Sequence, residues 1–163
     1  MSDATSTTTT PLICVLATNG SPASHEAVRQ ARHLVAQHAH FLLVTVVPER
    51  EDPMAYAGGF ESGGMTEEEA DERFAAAQDR AHHALEETRA VFGGTVEEHV
   101  LAAPGEPAEA LVRYATEVGA DLIVVGSRHH SALGRLFRGS VSDQVAHHAP
   151  CPVLVVPEPE HAT

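Results

Sequence analysis

Lysine is absent from this 163-residue chain, and all ten of its basic residues are arginine. That excludes Schiff-base chemistry on a lysine, and it excludes a P-loop, whose lysine reaches the β- and γ-phosphates. The "GRLFRGS" run at Gly134–Ser140 has the spacing of such a loop but lacks that residue and does not directly follow a strand. No G-x-G-x-x-G run occurs, which argues against a dinucleotide dehydrogenase. Positive charge is scarce overall: the formal net charge is −13. Affinity for nucleic acid comes mainly from basic side chains that neutralise phosphates, so no nucleic-acid partner is expected. Aromatic residues make up only 4% of the chain, so its interior must be built from Ala, Val and Leu. No apolar run approaches the roughly 18 residues of a membrane span. Residues 1–10 lack the basic and apolar regions of a secretory signal and read as a disordered leader. There are two cysteines. Cys14 lies in an apolar run and Cys151 between prolines, without metal-ligand spacing, as expected of buried thiols in the cytoplasm.

What is present is an alternation of strand-like and helix-like segments. Leu12–Thr18 (LICVLAT) is a short apolar run that stops at the turn signal NGSP. Ser21 then caps a helix opened by Pro22, with Val28, Ala31, Leu34 and Val35 at helical spacing. Phe41–Val47 (FLLVTVV) is a second buried strand. Glu49–Met65 is irregular and glycine-rich, the kind of long loop that is usually a functional lid or disordered. Thr66 and Glu69 form a capping-box pattern before a long helix with Phe74, Ala77, Ala81, Leu85 and Thr88 on one stripe. Val96–Leu101 carries Glu97 and His99, as an edge strand would. Pro107 opens a helix that buries Ala108, Leu111, Val112, Ala115 and Val118. Asp121–Val125 (DLIVV) is an unbroken buried strand, Gly126–Gly139 a loop, and a further helix capped by Ser140 precedes the last strand, PVLVV. One domain is expected over residues 11–158, with a short tail at 159–163.

Strands that are apolar throughout, alternating with helices, indicate a parallel sheet covered on both faces. Such sheets bind ligands at the carboxyl ends of their strands, where the strand order reverses. The loops after LICVLAT and DLIVVG are therefore the places to look. Gly126 ends a strand, where the missing Cβ lets backbone approach a phosphate. Gly139 and Ser140 open a helix whose free N–H groups and dipole favour an anion. Three of the ten arginines, Arg128, Arg135 and Arg138, fall in the connecting segment and could balance phosphate charge. The alternative is a loop that needs glycine only for turns, with solvated arginines.

Histidines are numerous, twelve in all, but His82/His83 and His147/His148 are adjacent pairs that diverge on a helix. None falls in H-E-x-x-H or a Cys–His set, so no metal site is expected. Their protonation would still make the charge sensitive to mild acid. No catalytic residue is assigned.

The segments NGSPAS, PGEPAEALVRYATEVGADLIVVGSR and GRLFRGSVSDQVAHHAPCPVLVVP resemble the universal stress protein family, from about Leu12 to Pro157. The resemblance implies an α/β fold: a doubly wound five-stranded parallel sheet of strand order 3-2-1-4-5 with helices on both faces. It implies a cytoplasmic, regulatory stress-response protein that binds ATP or a related adenine nucleotide, with or without Mg2+. It also implies a homodimer formed through the Val153–Val156 strand, with no membrane partner. Set on the family's nucleotide signature, Gly126 is the first glycine and Gly139 with Ser140 the last pair, while His129 stands where a second glycine belongs. Ala17, Thr18 and Asn19 map beside the ribose and base, and Val46 onto the residue whose backbone meets the adenine ring. Gly126, Arg128, His129, Gly139, Ser140 and Val141 would hold phosphates. Two departures matter. Asn19 replaces the usual aspartate and keeps an acceptor without the charge. The ring of His129 either fills the space of a phosphate or donates to one of its oxygens, and its backbone costs on the order of 1 kcal/mol if φ is positive. ATP hydrolysis, if any, would be slow. The alternative from the same fold is a dimeric interaction module that binds no nucleotide.

Overall fold

The computed structural model describes residues 10–35, 38–52, 65–127 and 141–159. Residues 1–9, the 53–64 part of the irregular loop, the 128–140 segment and the tail from 160 lie outside the described residues. So do four of the expected site residues, Arg128, His129, Gly139 and Ser140.

Among the described residues nine elements alternate: β1 (Ile13–Ala17), α1 (Pro22–Leu34), β2 (His40–Pro48), α2 (Glu67–Phe92), β3 (Glu97–Ala103), α3 (Pro107–Val118), β4 (Leu122–Ser127), α4 (Val141–His148) and β5 (Val153–Pro157). The strands form one parallel sheet of order β3-β2-β1-β4-β5. The expected doubly wound architecture is the observed one.

Side chains of a strand alternate between its two faces, and the core divides accordingly. Cys14 and Leu16 of β1, Phe41 and Leu43 of β2, and Val124 of β4 pack under α1 and α2. Val15 and Ala17, Leu42 and Val44, and Ile123 and Val125 pack under α3 and α4. Because both faces are covered, the central strands need apolar residues at every position. The helices contribute mainly alanine at the contact, with Ala27 and Ala31 of α1 and Ala108 and Ala115 of α3 buried. This lets helices lie close to the sheet in a chain short of aromatics. Burial pushes the Cys14 thiol up to about 12, with Cys151 adding to the effect. Cys14 is thus a packing residue rather than a nucleophile at neutral pH.

The local signals act as their chemistry dictates. Ser21 accepts from the Ser24 N–H at the start of α1, and Pro22 stands at its first turn. Thr66 N–H donates to the Glu69 carboxylate at 2.8 Å and Glu69 N–H to the Thr66 hydroxyl at 3.1 Å, completing the capping box of α2.

Several expectations need correction. Cys151, Val112 and Val118 are half-buried rather than buried, because they lie at the margin of the α3/α4 face of the core. Leu34 is 67% exposed rather than buried, because α1 turns Ser24, Ala27, Val28 and Ala31 inward and leaves its last turn beside β5. Phe74 is only half-buried, because α2 buries little in its first half. Gly126 and Ser127 belong to β4 rather than to a loop. They pair with Val156 and Pro157, and Ser127 O accepts from Glu158 N–H at 2.9 Å.

Candidate functional site

The order of the sheet reverses at β1, whose chain successor lies on one side and β4 on the other. At the carboxyl ends of these strands lies a cavity of about 190 Å3. It is walled by Ala17, Thr18 and Asn19 after β1, by Val44 and Val46 of β2, and by Val125 and Gly126 of β4. The first turns of three helices complete it, through Ser21, Ala23 and Ser24 near the start of α1, Pro107 of α3 and Val141 of α4. Of the expected site residues, Ala17, Thr18, Asn19, Val46, Gly126 and Val141 are thus brought together around one space. The remaining four fall in the 128–140 segment that joins Ser127 to Val141.

The geometry assigns several of these residues a part different from the one their sequence suggests. A Cβ on Gly126 would collide with the carbonyl of Ala23 and stand 2.7 Å from the Ser24 nitrogen. Glycine is therefore required at 126 so that α1 can start hard against β4, whatever is bound. Gly20 has φ +74°, in the left-handed region that favours glycine, and turns the chain from β1 into α1. Asn19 stabilises the same turn, its side-chain oxygen accepting from Ser21 N–H at 3.1 Å. Asn19 lines the cavity, and its amide NH2 group has no partner among the described residues.

The hydroxyls beneath the cavity are fully engaged. Thr18 Oγ1 is 2.7 Å from Thr88 Oγ1 and 3.1 Å from Ser24 Oγ, and it accepts from Gly20 N–H at 3.1 Å. Thr88 also approaches Ala84 O at 2.6 Å, and Ser24 donates to Ser21 O at 2.8 Å. Ser24 and Thr88 donate to carbonyls and the single Thr18 proton goes to Ser24 Oγ or Thr88 Oγ1, so none of the three protons remains for a ligand. Thr18 thus builds the site instead of offering its side chain.

The backbone of β2 supplies what the side chains withhold. Val44 is the last β2 residue in register with β1, and its carbonyl accepts from Thr18 N–H at 2.8 Å. Glu49 N–H bonds Ala103 O on the other side of β2, so alternate residues face alternate neighbours. Val46 therefore turns its peptide groups toward the notch left where β1 ends.

Electrostatically the cavity is unusual for so acidic a chain: no charged side chain lines it among the described residues. Three helix N-termini, each with a partial positive charge, surround it instead. No group of three or more His, Cys, Asp or Glu side chains able to hold a metal is found among the described residues. Nor is any helix there long and apolar enough to cross a membrane. Val44, Val125 and Pro107 were absent from the expected wall, although the switch-point rule points to all strand ends there. Thr88 gave no signal beyond being a polar member of an apolar stripe.

Comparison with known proteins agrees with this architecture. The model of the universal stress protein family matches residues 13–157. A universal stress protein of Thermus aquaticus is 49% identical over 63 residues, which is 39% of this chain and 46% of that protein. The YxiE universal stress protein of Bacillus subtilis is 46% identical over 61 residues, 37% of this chain and 41% of that one. The matched stretches thus span less than half of those relatives. Among solved structures, a universal stress protein in complex with cAMP is 25% identical with a TM-score of 0.57, covering 93% of this chain and all of that one (100%). An Arabidopsis thaliana family protein with AMP bound is 19% identical with a TM-score of 0.63, covering 92% and 94%, and shares the fold. The family match over nearly the whole described sheet, together with the β3-β2-β1-β4-β5 order, makes this chain a member of the universal stress protein family.

Proposed function

We propose that the cavity at the β1/β4 switch point receives the base and sugar of an adenine nucleotide, ATP or a relative, as part of a regulatory stress response. The observation that carries this reading is the pairing of two environments. An uncharged, largely apolar hollow offers the Val46 peptide groups and the Asn19 amide to a neutral ring. Between Gly126 and Val141, which both line it, the sequence holds three arginines and leads into the N-terminus of α4, a composition suited to phosphates. In this reading Arg128 supplies charge, and His129, Gly139, Ser140 and Val141 present backbone groups. The Ser140 hydroxyl serves phosphate or Mg2+. Similarity to a family member in complex with cAMP supports an adenine ligand. Calorimetric titration with Mg·ATP and with cAMP is the test, preceded by mass spectrometry of small molecules released from fresh protein. Neither heat nor a thermal shift at millimolar ligand would remove the reading.

A second reading is a dimeric interaction module without nucleotide. Asn19 and His129 favour it from the sequence, and the β5 edge favours it from the structure. Leu154 and Val155 line a groove of about 530 Å3 with Leu34, and Val155 is 40% exposed. Two copies pairing through β5 would cover this edge. The two readings separate on His129→Gly: nucleotide affinity that emerges only in this variant assigns the natural chain to the second.

A further inference from the structure

Thr88 stands on α2, seventy residues from Thr18 in the chain, and is fully buried at 0% exposure. It is the only polar residue among those that α2 buries. A threonine inside a helix commonly bonds the carbonyl four residues back, and Thr88 does so to Ala84. That bond alone would satisfy it. Yet its oxygen also lies 2.7 Å from Thr18 Oγ1, the shortest hydroxyl–hydroxyl contact in the group. From Thr18 the chain of contacts continues to Ser24 Oγ and Gly20 N–H, and Ser24 donates to the Ser21 carbonyl at the N-cap of α1. The Gly20 turn is also wedged against α2, since a Cβ there would meet Ala84 Cβ at 3.1 Å.

We infer that Thr88 is a positioning residue for the ligand cavity, holding the 18–24 turn and the start of α1 in place through the Thr18 hydroxyl. This inference rests on the adenine-nucleotide reading for its functional consequence, though not for its structural one. The buried Thr18 oxygen receives or gives one hydrogen bond on the α2 side, and Thr88 is its partner there. Removing that partner leaves the Thr18 oxygen with Ser24 Oγ and Gly20 N–H alone and unties the turn from α2. A Thr18 side chain untied from α2 would be free to rotate, which would release Gly20 N–H and Ser24 and shift the wall that carries Asn19. α2 would thereby set the shape of a pocket whose walls it does not supply.

The test compares wild type with Thr88→Val, which keeps the shape and removes the hydroxyl, and with Thr88→Ser, which keeps the hydroxyl. Amide hydrogen exchange at Gly20 and Ser21 reads the turn without ligand. We expect at least tenfold faster exchange at these amides in Thr88→Val and near wild-type exchange in Thr88→Ser, whether or not nucleotide binds. Unchanged exchange in Thr88→Val, or equal acceleration in Thr88→Ser, overturns the inference. Affinity for Mg·ATP and cAMP, measured well below the melting temperature, should fall at least fivefold in Thr88→Val and recover in Thr88→Ser. Thr18→Val combined with Thr88→Val should add little to either single change, whereas additive losses would show that the two residues act separately. A wild type that binds no nucleotide sinks the functional reading alone, because the exchange arm still decides the role of Thr88.

Discussion

The sheet has two edges, and the chain treats them differently. At β3 the edge carries Glu97, Glu98 and His99, with Glu98 paired to Arg89 and Glu97 set between two histidine rings. Glu97 lies 3.0 Å from both His40 and His99, and Arg89 lies 2.9 Å from Glu98. Charges on an edge strand deter a further strand, because pairing would have to desolvate them. At β5 the sequence between Pro152 and Pro157 is VLVV, with no charge at all. Glu26 and Gln30 of α1 border its groove, and Glu26 is held by Arg29 and Gln30. One edge is closed by side-chain chemistry. The other is kept short by prolines and left apolar, which suits one specific partner strand rather than open-ended growth.

This contrast can be broken most directly at Val155. In the proposed pairing of two copies through β5, Val155→Glu would place like charges across the contact and raise the dissociation constant by roughly 100-fold, about 2.7 kcal/mol. Sedimentation equilibrium decides it, and a variant that associates as wild type does would remove β5 from the interface. Leu34→Ser, in the same groove but outside the strand, should weaken association about tenfold while moving the melting temperature little, since Leu34 is already largely exposed in the single chain. At the other edge, Glu97→Gln should leave association untouched and cost at most about 1 kcal/mol in denaturant unfolding, as exposed pairs do. New self-association in that variant would show how much the charge was protecting.

The smallest effect concerns pH. Hydrogen bonding from Gln30, with Arg29 assisting, holds the Glu26 carboxyl below its ordinary value of 4.5. A depressed carboxylate stabilises the fold above the unfolded value, and that contribution is lost as pH falls through the folded one. Glu26→Gln should therefore lower stability slightly at neutral pH and flatten the acid limb of a stability–pH curve below about 4.5, the two proteins converging at low pH. An identical acid limb in both proteins would assign the acid sensitivity elsewhere.

The strands and most helix boundaries were legible because the signals are local. Apolar runs such as FLLVTVV admit only a strand buried on both faces. Pro22, Pro107 and the Thr66–Glu69 box mark helix starts by their own backbone chemistry. The cavity was legible in outline for a different reason, since the switch-point rule converts strand order into a ligand position. What remained hidden depends on distant contacts. Leu34 sits at helical spacing with Val28 and Ala31, yet the sheet ends before it does. Gly126 looked like a phosphate glycine, but its missing side chain is demanded by Ala23 and Ser24, about a hundred residues earlier. Thr88 looked like one member of an apolar stripe.

The sequence by itself determined the alternation of elements, the parallel and doubly covered character of the sheet, and the concentration of arginine between Arg128 and Arg138. These follow from the side-chain preferences of short segments. Only the tertiary structure decided which polar atoms under the cavity are already engaged, because a hydrogen bond between Thr18 and Thr88 exists only once α2 has docked on the β1 face of the sheet.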